Sequence, residues 1–315
     1  MYIREVALLF VRAGLLVASA GDALVAQVQL PVVNLGDTNF EDGLGGPGWL
    51  FEAFPTGYVA GEMKDASGKT VVGSNRLTTY SATAHIAFVS HKRFLGGWLL
   101  GEALLPVVDL DLELASRDGG GVRGFGDPEF GSGLQWAPRA MGKGIFAQRV
   151  VVDAGVPAGK YIDARAVNSG NHFVVINPFY AFTYEPNKKL EFSARVHYLW
   201  NSTNYEPYVN MGIRDTQAGQ ALHANYAMSY ELVKNVRLGF NGYWLQQLTD
   251  HRINGVSVAN SKERTVGLGP GLQLTGRGLW FRVNSYIETG VRNRPSGIKL
   301  TMRISRVLAA EAHHP

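Results

Sequence analysis

The side chains able to do chemistry are few, dispersed and evenly spaced. Eight histidines and no cysteine leave no thiolate nucleophile, disulfide or thiolate metal site. His85, His197 and His223 fall inside runs that alternate apolar and polar residues. Beside a serine, a histidine could drive acyl transfer on lipid. The chain has no Gly-x-Ser-x-Gly elbow, however, and no His-x-Ser on one strand face. Metal ligation by these histidines with Glu102 or Asp127 has no ligand spacing behind it. Hydrogen bonding inside a polar interior suits each of them better. Gly119–Gly126, GGGVRGFG, has the glycines of a phosphate-cradling loop but opens no helix, so the dinucleotide fingerprint fails. It reads as a flexible loop leading into Asp127-Pro128.

The elements that position these residues are strands. Leu190, Phe192, Ala194, Val196, Tyr198 and Trp200 alternate with Glu191, Ser193, Arg195 and His197. A period of two gives a strand one apolar and one wet face. Another extended run precedes it across Glu185–Lys189, whose Pro186-Asn187 pair is turn chemistry. Each arm is about ten residues, the length of a tilted strand crossing a bilayer. About twelve such runs follow from Trp49 onward, each near the length of a barrel strand. They cover 49–59, 77–89, 97–109, 127–137, 145–157, 173–185, 190–200, 220–232, 236–247, 264–276, 279–291 and 297–307. Connections after even-numbered runs are short, and those after odd-numbered runs are mostly long and polar; only Arg292–Ser296 breaks the rule. An up-and-down barrel has this rhythm, with tight periplasmic turns and larger extracellular loops. A Greek-key sandwich does not, because its connections cross between sheets.

Composition agrees. With 38 glycines, 11% aromatic and 18% charged residues, turns and strands are favoured over long helices. Thirty basic residues against 26 acidic ones, with the Lys and Arg residues scattered along the chain, leave no nucleic-acid footprint. Residues 1–20 have the form of an export signal: Arg4, a mainly apolar Val6–Ala18, and small residues at Ala18-Ser19-Ala20. Cleavage as late as Ala26 fits the same pattern, and a buried N-terminal helix is the alternative. No later stretch approaches the roughly 18 apolar residues of a spanning helix. The expected organisation is a signal over 1–20, an irregular periplasmic lead-in over 27–48, a barrel over 49–308 and a C-terminal tail over 309–315. The expected fold is all-β, an antiparallel up-and-down transmembrane β-barrel of about 12 strands. Its inward rows would carry Glu102, Asp127, Glu129, Arg149, Glu191, Arg195, His197, Arg237, Arg282, Glu288 and Arg303. Acids cluster on the early strands and bases on the later ones. They could neutralise one another across a narrow lumen or form a charged constriction that selects permeants, and both can hold together.

Asn39-Phe40-Glu41-Asp42-Gly43, Gly46-Pro47-Gly48-Trp49 and Gly124-Phe125-Gly126-Asp127-Pro128 carry a resemblance. The chain is similar here to the outer-membrane transporters grouped under the meta-pathway of phenol degradation. Strand rhythm extends the likeness over most of the remaining chain. The resemblance implies an outer-membrane barrel, inserted by the barrel-assembly machinery, that passes small hydrophobic or aromatic compounds. Its partners would be outer-membrane lipid and such a solute. The missing catalytic and ligand motifs noted above add the expectation of no cofactor and no enzymatic role. One departure stands out. Barrels of this kind usually finish on an aromatic residue, whereas the last run here ends Arg306-Val307-Leu308. Three rivals stay open: a barrel enzyme acting on lipid, a closed structural barrel without transport, and a soluble periplasmic β protein.

Overall fold

The period-two rows close into a cylinder. The structure, a computed structural model, describes residues 28–31, 33–37, 40–115 and 119–309. The expected export signal at 1–20 and the tail from 310 onward lie outside the described residues. In chain order the strands are β1 (Gly48–Met63), β2 (Arg76–Phe94), β3 (Gly97–Glu113), β4 (Gly120–Phe125 continued by Glu129–Met141), β5 (Gly144–Gly155) and β6 (Val175–Glu185). Then follow β7 (Leu190–Asn201), β8 (Ala221–Val233), β9 (Val236–Gln247), β10 (Arg264–Gly276), β11 (Leu279–Arg292) and β12 (Pro295–Ala309). Each pairs antiparallel with its sequence neighbours, and β12 closes on β1 from Gly48↔Ala309 to Met63↔Pro295. Pairing of β12 with β1 closes the ring, as a sheet spanning hydrocarbon requires. Every run expected from periodicity corresponds to one of these twelve strands.

The turns follow from local chemistry. Leu95-Gly96 between β2 and β3 has φ of 49° and 78°, and Arg277-Gly278 between β10 and β11 has 52° and 75°. Positive φ at both positions marks a type I′ turn, whose twist matches that of the strands it joins. The opposite end of the barrel carries the longer loops. There the two-residue strands Thr216–Gln217, Arg252–Ile253 and Val256–Ser257 form a small sheet that ties two loops together.

The faces are inverted relative to a soluble protein. Outward rows are apolar and exposed, as at Phe240 (67%), Ile287 (66%) and Ile298 (59%). Inward rows are polar and buried, as at Gln135, Glu191, Asn225 and Asn241. Lipid, rather than protein, is the environment that covers such an apolar belt.

Two expectations need correcting. Gly120–Phe125 is not a flexible loop, because it continues β4 and pairs with Val107–Leu112 of β3. The long β3 offers an open edge there, and Arg123 Nε donates to Asp109 Oδ2 across the pair at 3.0 Å. The described residues of the lead-in, expected to lie in the periplasm, instead run inside the barrel. Leu30 meets Glu263 at the long-loop end, and Gly43 meets Thr183 near the short-turn end.

Candidate functional site: the lumen and its inward-folded segment

The segment before β1 makes no ladder of its own, so its backbone groups need partners elsewhere. The polar inward rows supply them. Leu30 N donates to Glu263 Oε1 at 2.7 Å, and Gly36 N donates to Asn225 Oδ1 at 2.6 Å. The Asn225 amide donates in turn to Asn34 O at 2.9 Å, and the Tyr286 hydroxyl donates to Gly36 O at 2.8 Å. Lower down, Gly43 N donates to Thr183 Oγ1 at 2.7 Å, while Gln135 Nε2 donates to Gly43 O at 3.1 Å. Apolar contacts assist at the long-loop end. Leu30 and Leu35 cluster there with Leu199, Leu245, Tyr243 and Tyr286.

Charge fixes the register of the segment. Asp42 is held by a two-pronged contact with Arg195, Nε to Oδ2 at 2.9 Å and Nη2 to Oδ1 at 2.7 Å, with Arg149 Nη2 at 3.3 Å. Burial works to raise the Asp42 pKa, but the guanidiniums of Arg195 and Arg149 outweigh it and hold the carboxyl below the usual carboxylate range. Glu41 pairs with Arg237 Nε at 3.1 Å and accepts from Gln273 Nε2 at 2.8 Å. Lys299 reaches Asp37 at 3.3 Å and also donates to Leu35 O. The bases of the later strands are therefore neutralised mainly by the acids of this segment. Periodicity alone sets those bases against the acids of the early strands, as Arg303 still stands to Glu52.

The expected lumen residues fall into distinct settings. Arg149, Arg195 and Arg237 grip the segment. Glu102 and Glu52 flank His85, at 3.0 Å from Nε2 and 2.8 Å from Nδ1, an arrangement that suits a doubly protonated ring. Arg303 lies 3.7 Å from Glu52 and over the Phe54 ring at 3.9 Å, and Arg282 Nε donates to Gln273 Oε1 at 2.7 Å. Glu191 is fully buried and accepts from the hydroxyls of Ser193 and Ser229 at 2.7 and 2.9 Å. Glu288 accepts from Tyr58, Tyr243, Thr265 and Gly297 N at 2.6, 3.0, 3.2 and 3.0 Å, stitching five strands together. His197 stacks on His223 with ring centroids 4.2 Å apart. Glu129 sits on the inward row of β4, two positions before Gly131, over which Glu102 and Asp153 close. Asp127 stands apart from the other ten. Its carboxylate accepts from Gly159 N and Asn171 N at 2.9 and 2.7 Å, fastening the loop between β5 and β6.

Beside the segment remains a cavity of about 420 Å³. Leu50, Val89, Leu100, Trp280 and Val307 line it towards the short-turn end, and Glu52, His85, Glu102, Asp153, Arg282 and Arg303 line it deeper in. Phe40, Glu41 and Asp42 of the segment form one of its walls. Residues 37–42 were missed as site residues because nothing periodic marks them. Their only signal was the Asn39–Gly43 motif itself.

The sequence profile of the family described as "Putative MetA-pathway of phenol degradation" matches residues 60–304. The chain belongs to this family. The matched region spans the barrel from the end of β1 into β12, so the inward-folded segment lies outside it. No curated protein sequence matches the chain. Among solved structures, the COG4313 outer membrane channel from Pseudomonas putida F1 is similar at 15% identity and a TM-score of 0.77, over 86% of this chain and 100% of that one. At this identity the likeness establishes the fold, a transmembrane barrel of the outer-membrane type. The translocator domain of the autotransporter NalP from Neisseria meningitidis matches at 12% identity and a TM-score of 0.48, over 83% and 89% of the two chains. A TodX monoaromatic hydrocarbon channel variant matches at 8% identity and 0.44, over 84% and 91%. These last two are too distant to bear on mechanism.

Proposed function

We propose that this protein is an outer-membrane channel for passive uptake of small hydrophobic or aromatic compounds, with the described residues of the inward-folded segment before β1 as its internal constriction. The observation that carries the reading is the cavity of about 420 Å³ beside that segment, with its apolar and charged ends. Its short-turn end is apolar, while its depth brings Glu52, His85 and Glu102 near Arg282 and Arg303. An aromatic ring bearing a hydroxyl or carboxylate matches that gradient, since ligand sites combine an apolar wall with a few placed polar groups. The phenol-degradation family and the channel described for Pseudomonas putida F1 support the same reading. In it, Glu102, Arg282 and Arg303 face the solute, Glu129 stands beyond the cavity on the inward row of β4, and Arg149, Arg195 and Arg237 hold the segment. Glu191, His197 and Glu288 brace the wall, and Asp127 holds a loop. Lipid and the barrel-assembly machinery are the other partners, and the chemistry of the site calls for no cofactor.

The test is liposome swelling with benzoate and hydroxybenzoates against a glucose control, on the full chain and on a chain lacking residues 28–47. Aromatic solutes should enter through the full chain, and all solutes faster through the shortened one. No swelling in either form would leave a closed structural barrel. Lipid hydrolysis that disappears on His85→Ala, His197→Ala or His223→Ala would establish the enzyme instead.

A further inference from the structure

At the long-loop end, β9, β10 and β11 place Gln246, Arg264 and Arg292 side by side on the outward face. Arg264 and Arg292 are direct cross-strand partners. Like charges directly opposite on one sheet face are destabilising. Lys262 adds a third cation to the same crevice, whose volume is about 310 Å³. Its loop is fixed there, because Asn293 Nδ2 donates to Asn260 O and Lys262 O at 2.8 and 2.9 Å.

The acids nearby do not answer this charge. Among the described residues no carboxylate lies within ion-pair distance of Lys262, Arg264 or Arg292, and Arg264 Nε is buried without an acceptor. Glu263 turns inward to Leu30 N and Arg294. Asp65 spends one carboxylate oxygen on Ser67 and Lys69 N. Asp250 borders the crevice, and its Oδ1 accepts from Ser261 N and Oγ at 3.3 and 3.4 Å. Three cations against that single acid leave the crevice net cationic. On the same strands the outward row continues as Trp244, Val266 and Leu268, so the cations stand directly above the lipid-facing belt.

We propose that Lys262, Arg264 and Arg292 form a site for a phosphate of an outer-leaflet phosphoglycolipid, whose acyl chains lie along Trp244, Val266 and Leu268. Two guanidiniums side by side present the forked donors that phosphate oxygens accept. The long loops are the extracellular ones in this architecture, which puts the site at the headgroup level of the outer leaflet. A free anion would not need the apolar column beneath it; a lipid does.

Native mass spectrometry of the full chain in detergent, titrated with diphosphoryl lipid A, tests the site. Wild type should retain one lipid A that an Arg264→Gln, Arg292→Gln double variant holds roughly tenfold more weakly or worse. Arg76→Gln, elsewhere on the same rim, should bind as wild type does. Heat-modifiable mobility confirms that each variant has assembled. Should the double variant fail to assemble, Lys262→Glu in the loop carries the same expectation. Equal binding by the assembled variants overturns the proposal, as does equal binding of dephosphorylated lipid A. Full displacement by millimolar inorganic phosphate would replace it with a free-anion site.

Discussion

Asp42→Ala isolates the contact that seats the segment. The substitution removes one carboxylate that meets Arg195 at 2.7 and 2.9 Å and Arg149 at 3.3 Å. Breaking a buried pair from one side leaves uncompensated charge and costs about 3–5 kcal/mol. Here the loss falls on docking, because both arginines belong to the barrel wall and stay behind. A loss of ~3 kcal/mol changes the ratio of docked to released segment roughly a hundredfold. The other anchors, among them Gly36 to Asn225, Gly43 to Thr183 and the Glu41–Arg237 and Asp37–Lys299 pairs, are already made in the wild-type protein and so do not offset the loss. Single-channel recording in planar bilayers is the assay. The Asp42→Ala protein should spend far more time in a high-conductance state than wild type. Arg195→Ala added to Asp42→Ala should partly reseat the segment, because one stranded cation is gone. Identical traces for wild type and Asp42→Ala, with Leu44→Cys equally protected from a water-soluble thiol reagent in both backgrounds, would refute the reasoning.

Further expectations follow from the same contacts. Asp42 has its folded pKa depressed by Arg195 and Arg149, so its contribution to docking is complete above the free carboxylate value of about 4 and fades below it. Conductance should therefore hold steady, as far as Asp42 governs it, from about pH 5 to 8 and rise only in more acid solution. Gly43→Val should expel the lower segment, because a Cβ at 43 lies 2.5 Å from the Phe182 carbonyl carbon, where backbone cannot give way; conductance again reports it. Glu288→Ala removes the acceptor shared by Tyr58, Tyr243, Thr265 and Gly297 N, which should lower unfolding stability by roughly 3 kcal/mol, read by urea titration of the folded gel band. Val196→Arg, in the middle of β7 on the lipid face, should cost about 2–4 kcal/mol of assembly, and Phe192→Arg near the strand end markedly less. Equal yields of folded barrel from the two would mean that the bilayer is not centred where the strand puts it.

The sequence by itself determined the barrel. A period of two depends only on which side of a pleat each residue occupies, so Leu190–Trp200 declares its two faces without reference to any partner. Turn residues and the short/long alternation of connections are local as well, and together they set strand number and up-and-down order. Even the inward position of Arg149, Arg195, Arg237 and Arg282 could be read this way. What those arginines meet could not. Asp42 lies 153 positions from Arg195, and Leu30 lies 233 positions from Glu263, so no local pattern links them. The described residues of the inward-folded segment place their hydrogen bonds on side chains from several strands rather than on one neighbouring strand, so no period of two marks them. Only closure of the barrel brings those side chains around a single axis. The lumen that periodicity described as a polar interior thus became, in three dimensions, a segment clasped by arginines beside a cavity of mixed apolar and charged lining.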